Sequence, residues 1–126
     1  MYVNNSRSSR CRVIYVAGPF RGKTPWDVEK NIRRAEELAF RVANAGAMPL
    51  CPHTMTRYFD KQCTDEFWLA GTLELLERCD AIILTANWEQ STGARGEYDR
   101  AGALNLPALI ETAVNDEELA AWIRLL

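Results

Sequence analysis

Arg12-Val13-Ile14-Tyr15-Val16-Ala17-Gly18-Pro19 joins a β-branched and aromatic run to an abrupt stop. Residues of this kind suit a pleated strand, and Gly-Pro ends it. The run is continuously apolar rather than alternating, which predicts a strand covered on both faces, as in parallel sheets. Downstream, Ile32, Ala35, Leu38, Ala39 and Val42 recur at helical spacing within a helix expected over 26–45. Thr24 is its expected N-cap, Pro25 its first residue and Gly46 its stop. A brief strand follows at 47–50, ended by Pro52, and then a polar, irregular loop over 54–64.

The alternation continues to the C-terminus. A second helix is expected over 65–78, with Leu69, Leu73 and Leu76 on one side, then a strand at 80–86 (DAIILTA). A loop over 87–93 leads to a third helix at 94–105 and a strand at 106–111. Pro107 places that last strand at an edge. Asn115 caps a final helix carrying Leu119, Trp122, Ile123 and Leu126. This order predicts an α/β fold: a single-domain, doubly wound, mainly parallel sheet of about four to five strands, flavodoxin-like or Rossmann-like.

The chain has 126 residues, 48% of them apolar and 25% charged, which is one ordinary globular core. Residues 1–10 are polar and lack an apolar signal core, so we expect a flexible tail, a domain over 11–126 and a cytoplasmic protein. A net charge of −2 gives no general attraction for nucleic acid or anionic membrane. Cys11, Cys51, Cys63 and Cys79 lack paired spacing and are expected as reduced thiols. Cys51 and His53 alone do not make a zinc site, so no metal and no cofactor are expected.

In such sheets ligands bind beyond the carboxyl ends of the strands, which selects the loops at 18–25, 52–64 and 87–93. Gly18-Pro19-Phe20-Arg21-Gly22-Lys23 combines glycines, two cations and a helix start. This suits a phosphate, but equally an ordinary turn with solvated bases. It is neither a Walker A loop nor a dinucleotide fingerprint. Ser91-Thr92-Gly93 offers hydroxyls and a second helix start, and Glu97 follows one turn inside. Glu97 is a candidate nucleophile, or else a first-turn carboxylate complementing the helix dipole. Tyr15 and His53 are further candidates, each also readable as structural. Phe20, Trp68 and Trp88 could stack on a base, Trp88 best placed of the three. Asp80 reads as a turn residue at the opposite end of the sheet.

Tyr15-x-x-Gly18-x-x-Arg21-Gly22, followed by Ser91-x-Gly93-x-x-x-Glu97, resembles the nucleoside 2-deoxyribosyltransferases and, more closely, the 2′-deoxynucleoside 5′-monophosphate N-glycosidases. The wording YVAGPFRG, CPHT, FWL, CDAIIL, NW and SxGAxxE is similar to a phage and bacterial branch of that superfamily without assigned function. The resemblance implies Glu97 as nucleophile at C1′, with Tyr15 beside it. It implies Gly18, Phe20, Arg21, Gly22, Ser91 and Gly93 as substrate- or phosphate-binding positions, with His53 and Trp88 near base or sugar. It also implies a homo-oligomer, a dimer or larger, whose neighbouring subunit completes the site. The pattern departs at Thr72, where the family commonly carries an aspartate, and Glu74 and Asp65 are the carboxylates available instead. The expected activity is hydrolysis of the N-glycosidic bond of a nucleoside 5′-monophosphate. The alternatives are base exchange between nucleosides, or nucleotide binding without turnover.

Overall fold

The computed structural model describes residues 10–59 and 61–126. The expected N-terminal tail therefore lies outside the described residues, except for Arg10. Strand β1 (Val13–Ala17) runs up the middle of a four-stranded sheet of order β2-β1-β3-β4. Strands β2 (Met48–Leu50), β3 (Ala81–Leu84) and β4 (Ala108–Ile110) all run parallel to their neighbours. The inner strands read as they must: β3 is buried at every position, and β1 at four of its five.

Pleating divides these residues between two cores. Ile14, Val16, Ala81 and Ile83 pack with helix α1 (Pro25–Asn44) and helix α5 (Asp116–Arg124). Tyr15, Ala17, Ile82 and Leu84 pack with helix α3 (Asp65–Glu77) and helix α4 (Thr92–Ala103). The chain adds β2 on one side of β1 and then crosses to add β3 on the other. The carboxyl ends of β1 and β3 thus flank the crevice where the direction of winding reverses, the usual ligand position in such sheets.

Helix boundaries follow local chemistry. Thr24 accepts a hydrogen bond from the Asp27 amide, Pro25 is the first residue of α1, and Gly46 follows with a φ of +108°. Asn115 and Glu118 form a capping box on α5. Asp80 accepts from the Val13 amide at 2.8 Å and pairs with Arg10 at 2.7 Å, stitching the amino ends of β1 and β3.

Two expectations about helix starts need correction. Pro52 does not merely end β2: it opens a short helix, α2 (Pro52–Met55), its fixed φ suiting a first helical position. Helix α4 begins two residues earlier than expected, because Ser91 is its N-cap and accepts from the Ala94 amide at 3.0 Å. In α3 only Leu76 is buried, and Leu69 is exposed, because the helix leans on the sheet at its C-terminal end.

Arg41 ties the end of α1 to the segment that leads into α5. Its guanidinium donates to the carbonyls of Glu111 and Val114 and pairs with Asp116, each at 2.6 Å. Arg41→Ala is expected to cost about 2–3 kcal/mol, with Arg41→Lys in between because an ammonium lacks the planar fork. Urea denaturation checks this: the midpoint falls while the slope stays constant.

Candidate active site

Glu97 occupies a place where a helix would ordinarily put an apolar residue. The buried face of α4 is Ala94, Glu97 and Ala101, spaced for one side of a helix. The two alanines bring α4 close to the sheet, and the carboxyl between them is only 8% exposed. Tyr15, from the middle of β1, points to the same side and is 1% exposed. Its hydroxyl donates to Glu97 Oε2. The Thr72 hydroxyl, from α3, lies close to both and donates to the Leu69 carbonyl at 3.1 Å.

Burial dominates the electrostatics. It pushes the Glu97 pKa up from 4.5 to about 7, against the opposing influence of the Tyr15 hydrogen bond and the nearby Thr72 hydroxyl. Burial, and then the charge of Glu97, pushes the Tyr15 phenol well above its ordinary range, so it stays a proton donor. Near neutral pH the carboxyl is therefore poised between acid and carboxylate, the range in which it can exchange roles during a reaction.

Above this floor opens a cleft of about 500 Å³, within the usual size for small-molecule sites. Its walls are largely apolar, with Pro19, Phe20, Pro52, Trp68 and Leu69 contributing, and Gln90, Ser91, Thr92 and Gly93 line the α4 side. The β1–α1 loop that forms one wall is braced at several points. The Asn31 amide donates to the carbonyls of Phe20 and Arg21, both at 3.1 Å. Buried His53 donates from Nε2 to the Pro19 carbonyl at 2.9 Å, and its ring meets Phe20 edge-on. Burial depresses the His53 pKa, so it acts as a neutral strut. A Cβ on Gly18 would stand 2.6 Å from Thr85 Oγ1, so only glycine lets the loop cross the end of β3.

The sequence candidates thus divide. Tyr15, Gly18, Phe20, Arg21, His53, Ser91, Gly93 and Glu97 all line the cleft. Gly22 and Trp88 are not among its lining residues. Gly22 lies against Asp27 at the start of α1, where a Cβ would come within 2.5 Å. Trp88 packs on Tyr98, ring centroids 4.8 Å apart. Arg21 is ion-paired with Asp65, the first residue of α3. Of the two carboxylates considered as substitutes for the family's aspartate, Asp65 lines the cleft, whereas Glu74 pairs with Arg78 on an exposed face. Leu69, Thr72 and Gln90 line the cleft as well, Thr72 from the position where the resemblance implies an aspartate.

Three comparisons bear on the chain. A family model described as "Domain of unknown function (DUF7768)" matches residues 12–111. No curated protein sequence matches. Among solved structures, the fold is similar to a 2-deoxyribosyltransferase from Bacillus psychrosaccharolyticus, with a TM-score of 0.56 and 20% identity over 78% of this chain and 70% of that one. It is also similar to a 2-desoxiribosyltransferase from Leishmania mexicana, with a TM-score of 0.55 and 23% identity over 79% of this chain and 63% of that one. The chain thus spans about two thirds of the length of these structures, and the likeness is one of fold.

The buried carboxyl has a thermodynamic consequence. Its pKa is raised on folding, so the stability it contributes is fully present below 4.5 and lost as pH rises through about 7. Glu97→Gln is therefore expected to stabilise the protein increasingly between these pH values and by a constant amount above them. The shift corresponds to about 3 kcal/mol. Melting temperatures of both proteins across pH 4–9 check it.

Proposed function

We propose, from the premise that the chain belongs to the family described as "Domain of unknown function (DUF7768)", that it transfers the sugar of a nucleoside from its base through a covalent ester on Glu97. The observation that carries this reading is the buried Tyr15–Glu97 hydrogen bond at the floor of a cleft with apolar walls. The Glu97 carboxylate attacks C1′ while the bond from C1′ to the base nitrogen breaks. The electron pair leaves with the base, which takes a proton from solvent at the open mouth. A second base nitrogen, or water, then attacks C1′, gives up its proton to solvent and restores the carboxylate. Apolar walls suit a planar base, and Tyr15 holds the carboxylate in line and steadies its charge.

Two observations favour base exchange on free nucleosides over hydrolysis of 5′-monophosphates. Arg21, the cation expected to hold a phosphate, is already paired with Asp65. The two structural neighbours, named as 2-deoxyribosyltransferases, support a 2-deoxyribosyl donor. A homo-oligomer belongs to the same reading: Phe59, Phe67 and Leu69 are exposed near or on α3, an apolar surface for a second copy.

The test is incubation of the pure protein with deoxyribonucleosides and their 5′-monophosphates, with and without an acceptor base, followed by chromatography. Wild type should release or exchange base, and Glu97→Gln should lose at least about a thousandfold. Binding without turnover, unchanged in Glu97→Gln, would show instead a nucleotide-binding protein. A second expectation concerns pH. Carboxylate is the reactive form, so kcat/KM should rise with pH through about 7. Tyr15→Phe removes a hydrogen bond that favours the charge, so it should move this limb to higher pH and lower the plateau.

A further inference from the structure

We propose that the Arg21–Asp65 ion pair at the cleft is a specificity element that admits an uncharged sugar end and disfavours a 5′-phosphate. The inference rests on the nucleoside reading above and deepens it. Among the described residues lining the cleft, Arg21 is the single cation, and Asp65 and Glu97 are the two carboxylates. His53 is held neutral by burial and already donates to Pro19. With Glu97 ionised, the lining therefore carries a net negative charge. The start of α4 adds only about half an elementary positive charge. A phosphate dianion entering this cleft must take Arg21 from Asp65 or lie beside the Asp65 carboxylate, and either course is unfavourable. A hydroxyl pays neither cost, because it can hydrogen-bond to the pair as it stands.

The pair is also placed to act as a fixed feature of the entrance. Asn31 holds the backbone of Arg21 through two carbonyls, and Asp65 begins α3, where its charge complements the helix dipole. Both side chains remain more than half exposed, at 57% and 73%. The discrimination is therefore moderate in size and sensitive to salt.

The experiment compares wild type, Asp65→Asn, Arg21→Gln and the double variant, each with deoxyribonucleosides and their 5′-monophosphates. Base release gives kcat/KM, and calorimetry on the same proteins carrying Glu97→Gln gives binding without turnover. Wild type should prefer the nucleoside. Asp65→Asn should shift the ratio toward the monophosphate by about tenfold at low salt, and by less in 0.5 M salt. Adding Arg21→Gln should cancel that gain. An unchanged ratio in Asp65→Asn, or a wild-type preference for the monophosphate, overturns this inference and leaves glycosidic chemistry standing. If neither compound class binds to or is cleaved by any of the proteins, the nucleoside reading fails and takes this inference with it.

Discussion

The hydrogen bond from Tyr15 to Glu97 joins the middle of the central strand to the inner face of α4. A carboxyl group is tolerated in a dry interior only when it is neutral or well bonded. Here it lies between those conditions, with a pKa near 7 set by burial against two neighbouring hydroxyls. The surrounding structure meets that demand. Ala94 and Ala101 let α4 approach the sheet, and continuous apolar residues in β1 and β3 exclude water beneath. Because of the same exclusion, a charge formed here depends on fixed dipoles rather than on solvent.

The chamber above this floor is well defined. The reversal of winding between β1 and β3 leaves a crevice at their carboxyl ends, and the loops there are tied rather than loose. Gly18 passes against Thr85, Asn31 holds two carbonyls, and His53 holds a third. The single histidine thus serves as an anchor for the wall. Its depressed pKa fits that role, since a neutral ring keeps one N–H to donate without the cost of a buried charge.

Polarity in the cleft is graded. Glu97, Tyr15 and Thr72 form the floor, Trp68 and Leu69 extend an apolar side, and Arg21 with Asp65 supply charge that largely cancels. Such a gradient suits a ligand with a flat apolar part and a neutral hydroxylated part. Helix α3 is the versatile element: within one helix it contributes Asp65, Trp68, Leu69 and Thr72 to the cleft, while Leu76 joins the core.

Local chemistry alone determined the order of the strands and the longer helices, the caps at Thr24 and Asn115, the edge position of the last strand and the three loops around the cleft. These features depend on neighbours in the chain: apolar period, turn residues and hydrogen-bonding side chains a few positions away. Tyr15, Gly18, Arg21, His53, Ser91, Gly93 and Glu97 were legible for a related reason, because the strand-end rule places them on one side of the sheet. Tertiary structure decided what each of them touches. Nothing near Trp88 in sequence shows that it faces Tyr98, and nothing near Arg21 shows that its partner stands 44 positions away. Nor does Thr72 reveal from its own helix that it meets Tyr15 and Glu97. Those contacts, and the burial that raises the Glu97 pKa, arise only when α3 and α4 settle on the same face of the sheet, because packing is a property of the surfaces brought together.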